Sequence, residues 1–392
     1  MAYYSKHEMM LYLVNQPELL VFAEAIRRFK CLHIPKVGYL VNDAKLATEI
    51  LMHPNFSSSG RGGMGSLITP FTGDYGLFNM DGDSHVQFKR ALMKVFTRDY
   101  VHRCIEIAGN HLLEQLEQQL KRGETVELVD FTRKFTTNIM LYMFGVDIER
   151  IDLETIEPQI TDAVMNYMSK LHLTKIELTE KESQSVVERV GKVDAFIEEH
   201  QRANQTDSLL CAVREMGLSR KEARGLMYSL LVAGTETTNV TIPRVLALLL
   251  DSGQYHLLKE NRNLMSNTLE EGVRVTTASP MIPRAIEQDT QLGDVHFKAG
   301  ERALMIVYNI MKQGYDLDGA RQFDIERTIP QALKHLNFGH GAHFCLGFPL
   351  AQRELEVVLN TFLAMDSTPE ILSRRYSRGQ TFPAYTRLMV RM

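Results

Sequence analysis

The chain has 392 residues, of which 44% are hydrophobic and 23% charged, a composition typical of a globular protein with a large buried core. Its formal net charge of -4 excludes a nucleic-acid surface that depends on overall positive charge. Because no Pro/Ser-rich linker, low-complexity tract or repeat divides the sequence, we expect a single domain over residues 1 to 392.

The N-terminal third contains short apolar runs and one strand-like segment. Lys6, Glu8 and Glu18 interrupt the first runs, which therefore predict neither a signal peptide nor a membrane span. We accordingly expect a cytoplasmic protein that makes no membrane contact. Residues 36 to 41 read KVGYLV and predict a strand.

Residues 60 to 65 read GRGGMG and formally match the GxGxxG pattern of a dinucleotide site. Asp81 or Asp83 could supply the acidic residue that such a site needs further along the chain. However, no strand pattern leads into the glycines and no helix of the required kind follows them. The sequence therefore disfavours nicotinamide binding.

Apolar residues recur at helical spacing through most of residues 99 to 273. The longest pattern opens with a capping box of Ser219 and Glu222 and continues to Leu250. Within it, residues 233 to 238 read AGTETT, a run of poor helix formers, and Pro243 predicts a bend. On composition alone, a kinked core helix explains this run equally well.

Strand-like alternation returns only at residues 291 to 308, which read QLGDVHFKAGERALMIVY. The sequence therefore predicts a mainly α fold with small β-sheets.

The four cysteines show no CxxC spacing, which argues against a zinc site and a disulfide framework. Cys345 differs from the other three, because it lies in FGHGAHFCLG, residues 338 to 347, directly before an amphipathic helical pattern. A helix N-terminus favours thiolate, and Gly339, Gly341 and Gly347 would let the backbone approach a flat ligand. Taken alone, such a cysteine is still more often structural.

The ten-residue string as a whole resembles the FGxGxHxCxG signature of the cytochromes P-450, in their soluble bacterial form. Glu271 and Arg274 resemble the family's ExxR pair, which at this spacing on a helix can form a buried ion pair. The resemblance covers essentially the whole chain. It implies the cytochrome P-450 fold, with a long central helix that crosses over the haem.

The resemblance implies haem b as cofactor, with Cys345 as the ligand of the iron. Lys89 stands where the family usually has Arg. The further residues expected to contact the haem, mostly through its propionates, are His85, Lys89, Arg284, Phe338 and His343.

A thiolate ligand pushes electron density onto iron and favours O–O cleavage, which implies a monooxygenase. The resemblance assigns Thr237 to hydrogen-bonding bound oxygen and Glu236 to relaying protons through water. Ala233 and Gly234 are expected to leave room for the oxygen.

The resemblance implies a small, largely apolar substrate beneath a mobile loop that includes the glycines of residues 60 to 65. Ile310, Met311 and Lys312 depart from the polar turn that the family has after a strand. The apolar residues expected to line the substrate pocket are Leu67, Ile68, Leu230, Ala233, Ala278, Met281, Ile282 and Phe382.

Since the 392 residues leave no room for a flavin or nicotinamide domain, electrons are expected from a separate ferredoxin or flavodoxin with its reductase. Arg90, Lys94 and Arg353 could attract this acidic partner on the cysteine side, although solubilising surface charge explains them equally well. We expect a monomer. The alternatives are a peroxide-driven peroxygenase or haem-thiolate isomerase, and a non-catalytic haem-binding protein or sensor.

Overall fold

The computed structural model of the protein describes residues 6–168, 179–202, 208–312 and 319–392. Its first eight helices are α1 (Lys6–Asn15), α2 (Pro17–Ile26), α3 (Ala44–Met52), α4 (Met64–Thr72), α5 (Gly82–Leu92), α6 (Arg98–Ala108), α7 (Asn110–Lys121) and α8 (Leu128–Met143). The following helices are α9 (Leu153–Met168), α10 (Glu180–Glu199), α11 (Leu209–Glu215), α12 (Arg220–Asp251), α13 (Tyr255–Glu260), α14 (Met265–Thr276), α15 (Val307–Ile310) and α16 (Phe348–Leu363).

The sequence predicted strands only at residues 36 to 41 and 291 to 308, and the structure has further strands in the N-terminal third, after α14 and at the C-terminal end. The strands are β1 (Cys31–Ile34), β2 (Gly38–Val41), β3 (Phe56–Ser57), β4 (Val126–Glu127), β5 (Ile282–Ile286), β6 (Thr290–Leu292), β7 (Val295–Phe297), β8 (Arg302–Met305), β9 (Glu370–Tyr376) and β10 (Tyr385–Arg391). The largest sheet has the order β1-β2-β8-β5-β3, and smaller sheets have the orders β4-β10-β9 and β6-β7. The described residues thus form a mainly α fold with small sheets, which confirms the predicted class.

The two strand predictions hold with changed boundaries. Residues 36 to 41 contain β2, which forms a hairpin with β1, a strand that the sequence did not predict. Residues 291 to 308 contain β7, β8 and most of β6, but the segment ends as the short helix α15. The final residues leave the sheet because the backbone amides of Ile310 and Met311 bond to carbonyls of Ile306 and Val307, as in a helix.

The long central helix α12 begins as predicted. Ser219 and Glu222 form the reciprocal capping box, which satisfies two amides at the helix start. The helix is buried along most of its length and packs against α4, α8, α14 and α16. A helix surrounded on all sides can cross the interior and present a few residues to a central site.

Two ion pairs hold the helices around this core. Arg274 Nε lies 2.6 Å from Glu271 Oε2, with both side chains fully buried, so the predicted ExxR pair is present. Arg274 also donates to the carbonyls of Met311 and Ala320. Arg244 of α12 pairs with Glu8 of α1, and both are fully buried. These contacts join segments that are distant in the sequence.

The segment that departs from the family's polar turn packs into the interior. Ile310 and Met311 belong to the hydrophobic core beside the five-stranded sheet. The Lys312 ammonium lies 3.7 Å from the centre of the Tyr308 ring and 4.5 Å from that of Tyr12. Two ring faces therefore contact the ammonium and favour its charge, but burial still lowers the pKa of Lys312 well below its usual value. Residues 313 to 318 of this segment lie outside the described residues.

Candidate active site

The glycine-rich loop holds Cys345 three residues before α16. The Cys345 amide donates to the Phe338 carbonyl at 2.9 Å, which closes the loop on itself. Phe338 stands edge-on to Phe348, the first residue of α16, with ring centres 4.9 Å apart. The loop is therefore a packed turn that fixes the sulfur near the helix N-terminus.

The thiol of Cys345 experiences opposing effects. Burial raises its pKa, while the amides of Gly347 and Phe348 and the ammonium of Lys89 lower it. The sequence predicted a lowered pKa, and this was wrong for the protein without a bound metal, because desolvation of the thiolate exceeds the helix-terminus effect. The two amides and the ammonium would stabilise a thiolate once a cation binds the sulfur.

The loop glycines are needed, but not all for the predicted reason. Gly339 and Gly341 adopt φ of 80° and 63°, a left-handed backbone that disfavours other residues. A Cβ on Gly341 would lie 3.1 Å from the Leu51 carbonyl of α3. Gly341 thus permits close approach to a neighbouring helix, and at this position the requirement comes from the protein rather than from a ligand.

Two buried basic side chains near this loop have no counter-ion among the described residues. His85 is 2% exposed, and its buried Nδ1 has no hydrogen-bond partner among the described residues. Arg284 of β5 is 4% exposed, donates to the Pro283 carbonyl, and has no carboxylate within ion-pair distance in the described part of the chain. Burial lowers the pKa of Arg284 to about 10 and that of His85 to about 4. Because buried charges need partners, this environment fits a group that brings carboxylates, as the haem propionates would.

His343 and Lys89 have partners within the protein. His343 Nε2 lies 2.8 Å from Asp81 Oδ1, and its ring packs at a tilt of 37° against that of His85, with centres 3.9 Å apart. The Lys89 ammonium donates to the carbonyls of Ala342 and Phe344 in the cysteine loop. Both side chains hold the loop against α5. Their contact with propionates stays a prediction.

Asp81 is a structural residue that the sequence analysis considered only as part of a nucleotide site. Its carboxylate accepts from the amides of Ser58 and Ser59 as well as from His343. Although burial alone would raise it, these hydrogen bonds hold the pKa of Asp81 well below its usual range. Asp81 therefore joins the glycine segment to the cysteine loop.

The acid and alcohol of AGTETT occupy the middle of α12. Glu236 is 3% exposed, and burial raises its pKa to about 7, with a smaller opposing effect from Arg133. Thr237 is half-buried, and its hydroxyl donates to the Ala233 carbonyl at 2.8 Å. A carboxyl with a pKa near 7 can both donate and accept protons at neutral pH.

Ala233 and Thr237 lie one turn apart and keep part of their surface accessible on a largely buried helix. Gly234 also makes a contact that the sequence did not predict. A Cβ on Gly234 would lie 2.7 Å from the sulfur of Met140, so this glycine lets α8 approach α12 closely. The expectation that Ala233 and Gly234 leave room for oxygen stays a prediction.

The residues predicted for the substrate pocket lie on four different segments. Ile68 is in α4, which packs on α12, the helix of Leu230 and Ala233. Ala278, Met281 and Ile282 follow α14 and enter β5, and Phe382 precedes β10. The Leu67 side chain lies outside the described residues. Met281 lines a partly open pocket together with Tyr12, Leu40, Tyr308 and Pro383.

The glycine segment differs from the predicted mobile loop, because α4 begins at Met64 within it. A short strand, β3, also precedes it, contrary to the expectation that none would. However, β3 pairs antiparallel with β5. A dinucleotide site requires a parallel βαβ unit, so the nicotinamide interpretation fails on topology.

Glu354 is a buried acid that the sequence analysis missed. It lies on α16, nine residues after the cysteine, and is fully buried with no hydrogen-bond partner for either carboxyl oxygen in the described chain. Burial raises its pKa well above the usual range, and the nearby Thr238 hydroxyl lowers it. Its position on the inward face of an amphipathic helix could have indicated burial.

Comparison with known proteins identifies the family. The family model described as Cytochrome P450 matches residues 25–256 and 256–365. The chain is 29% identical over 300 residues to the mycinamicin IV hydroxylase/epoxidase of Micromonospora griseorubida, covering 74% of this chain and 71% of the relative. It is 25% identical over 339 residues to cytochrome P450(BM-1) of Priestia megaterium, covering 80% and 78%.

Solved structures share the fold. CYP109E1 from Bacillus megaterium, in complex with testosterone, aligns with a TM-score of 0.79 and 21% identity over 98% of this chain and 99% of that one. P450BioI, in complex with an acyl carrier protein, aligns with a TM-score of 0.77 and 21% identity over 96% and 98%. The chain belongs to the cytochrome P450 family of haem-thiolate monooxygenases, and its cofactor is haem b.

Proposed function

We propose that the protein inserts oxygen from O2 into a small, largely apolar metabolite by hydroxylation, epoxidation or oxidative coupling, with electrons from a separate redox protein. The observation that carries this proposal is the Glu236 and Thr237 pair on α12. Burial gives Glu236 a pKa of about 7, and Thr237 lies on the accessible side of the helix. Oxygen activation by electrons consumes protons, and this pair can supply them.

Cys345 is the proposed ligand of the iron. When bound, the haem supplies the redox-active iron whose thiolate ligand favours O–O cleavage. The amides of Gly347 and Phe348 and the ammonium of Lys89 stabilise the sulfur in its charged form. Arg284 and His85 neutralise and hydrogen-bond the propionates, which removes the cost of burying an unpaired cation. Lys89, His343 and Phe338 complete the cofactor contacts.

The substrate residues are proposed from their elements and chemistry. Leu67 and Ile68 of α4, Leu230 and Ala233 of α12, and Ala278, Met281, Ile282 and Phe382 offer apolar side chains with few polar groups. Such a lining favours a substrate that binds by burial of apolar surface. The hydroxylase/epoxidase named among the relatives supports a tailoring reaction of this kind.

The electron donor is proposed to be a ferredoxin or flavodoxin that docks beside the cysteine loop. Arg90 and Lys94 are exposed on and just after α5, the helix whose Lys89 donates to that loop. Arg353 is half-buried, and its Nη1 lies 2.8 Å from Glu356 Oε2. Its charge is therefore partly neutralised within the protein and attracts an acidic partner less strongly. We further propose a monomer that works in the cytoplasm. No helix in the described part of the chain is long and apolar enough to cross a membrane.

Turnover with three kinds of reactant distinguishes the proposed function from its alternatives. Product that requires O2 and a reduced ferredoxin or flavodoxin supports the monooxygenase. Product with peroxide alone, at an equal rate, would indicate a peroxygenase, and rearrangement with neither would indicate an isomerase. Binding of haem and ligand without turnover under all three conditions would contradict catalysis.

A further inference from the structure

A buried polar cluster lies behind Glu236, between α8, α9 and α12. Two contacts fix how α8 lies on α12: the Thr132 hydroxyl donates to Asn239 Oδ1 at 2.8 Å, and Gly234 packs against Met140. The two helices are therefore antiparallel, because the earlier residue of α8, Thr132, lies beside the later residue of α12, Asn239. Glu236 therefore faces the stretch of α8 between Thr132 and Met140.

Two charged residues join this cluster from neighbouring helices. Glu157 of α9 is 4% exposed, and one of its carboxyl oxygens accepts from the Thr161 hydroxyl at 2.5 Å. Arg133 of α8 is half-buried, and its buried Nε has no hydrogen-bond partner in the structure as described. Both charges act on Glu236, because Arg133 lowers the pKa of Glu236 and Glu157 raises it.

Among the described residues, Glu236, Glu157 and Arg133 form no ion pair with one another, although all three are buried or half-buried. Charged groups in such positions need polar partners, and water is the partner that can fill a gap between them. The other carboxyl near this part of α12, Glu354 of α16, faces Thr238 instead. The charged groups that act on Glu236 therefore come from α8 and α9, while the Asn239 side chain of α12 hydrogen-bonds Glu236 and lowers its pKa.

An exposed acid lies one helical turn before Glu157 on α9. Glu154, three residues before Glu157 and thus on the same side of the helix, has a side chain that is 73% exposed. It pairs with Lys134 Nζ at 2.6 Å, and Lys134 follows Arg133 on α8. The buried Glu157, whose charge acts on Glu236, is therefore one turn from the solvent-exposed part of α9.

We propose that Glu157 and Arg133 form the solvent-side end of the proton route to Glu236, with water between the three side chains. This inference rests on the proposed function, which needs protons at Glu236. Glu236 gives its proton towards the Thr237 side and becomes a carboxylate. Glu157, a carboxylate at rest, then takes up a proton from solvent and passes it through water to Glu236, which returns Glu157 to its carboxylate form. Arg133 limits the charge that builds up while either acid is ionised.

Carbonyl-stretch infrared titration of the haem-loaded protein tests this inference without measuring activity. The band lost in Glu236→Gln identifies the Glu236 carboxyl. Glu157→Gln should lower the pH midpoint of that band by roughly one unit, because a nearby negative charge is removed. Arg133→Gln should raise the midpoint by a similar amount. The matched controls, Glu154→Gln and Lys134→Gln, alter neighbouring surface charges and should leave it within a few tenths of a unit.

The solvent isotope effect on oxygen consumption gives a second readout. Glu157→Gln should increase this effect, and Glu157→Asp, which keeps the carboxyl, should restore most of the normal value. If neither Glu157→Gln nor Arg133→Gln shifted the pH midpoint of the Glu236 band, the inference would be overturned and the proposed function would stay intact. If Glu236→Gln left product yield per electron unchanged, the proposed function itself would fail, whatever the midpoints.

Discussion

At the scale of single residues, the site combines an acid with a raised pKa, a hydroxyl and a cysteine whose thiolate needs a cation. Each is set by a different local cause. Burial controls Glu236 and opposes ionisation of Cys345, while Thr237 gains access because its face of α12 is left partly uncovered. The chemistry therefore depends on which side of a helix is buried as much as on residue type.

Replacing Thr237 by Ala should separate oxygen consumption from product formation. The variant should still bind haem and substrate, but product per electron should fall several-fold and hydrogen peroxide should rise, because protons are no longer held at the right place. Thr241→Ala is the matched control, since Thr241 makes the same bond to a carbonyl four residues earlier, that of Thr237. Unchanged product per electron in Thr237→Ala would contradict the assigned role.

The raised pKa of Glu236 predicts a pH dependence. Below a pH of about 7 the carboxyl holds its proton and can donate it, and above that pH it ionises. Product per electron should therefore fall as the pH rises through 7, and Glu236→Gln should flatten this decline at a lower yield. A decline of the same size and midpoint in Glu236→Gln would assign the titration to another group.

Arg284→Met should change the apo and haem-bound proteins in opposite directions. Removing a buried cation that lacks a carboxylate partner should stabilise the apo protein, whereas haem binding should weaken by about 1.5–3 kcal/mol, since a charged hydrogen bond is lost. Urea unfolding and haem transfer to apomyoglobin measure the two effects. Weakened stability with unchanged haem affinity would show that Arg284 has only a structural role.

At the scale of elements, α14 carries a buried ion pair that fixes the segment before the cysteine loop. Arg274→Met would leave Glu271 buried without this partner and would remove donors from the Met311 and Ala320 carbonyls. Breaking such a pair costs roughly 3–5 kcal/mol. The variant should yield little folded holoprotein. Lys259→Met, which removes a lysine that donates to carbonyls at the end of α16, should be far milder.

The elements also show what sequence can predict. The capping box at Ser219, the ExxR pair and the cysteine loop depend on residues a few positions apart, so local patterns suffice. The His343 contact with Asp81 joins residues 262 positions apart, and only the folded chain reveals it. The helix α4 was missed for a related reason: its glycine and its two threonines have weak helix propensity, and packing against α12 stabilises it.

At the scale of the whole molecule, the proposed function requires that electrons arrive on one face and substrate on another. Arg90 and Lys94 are exposed near the cysteine loop. The helix α10 instead packs against α9 and against α4, which carries the proposed substrate residue Ile68. The burial of Glu157 could not be predicted, because it arises where several helices meet. Sequence therefore specified the cofactor more fully than the routes that lead to it.

Charge reversal tests the partner face. Arg90→Glu with Lys94→Glu should slow reduction by an acidic ferredoxin about tenfold or more at low salt, and the difference should shrink as salt screens the charges. Lys192→Glu on α10 is the control, because its side chain is 65% exposed on the helix that packs against α4 and α9. Equal slowing by the control, or a difference that salt does not alter, would contradict a docking role.

The carbonyl spectrum of the reduced protein tests the central claim, that the Cys345 sulfur is the ligand of the haem iron. The natural protein should give the red-shifted Soret band of a thiolate complex with carbon monoxide. Cys345→Ser should lose that band while haem remains detectable, and Cys211→Ser should keep it. A thiolate-type band that survives in Cys345→Ser would contradict the assignment of the ligand.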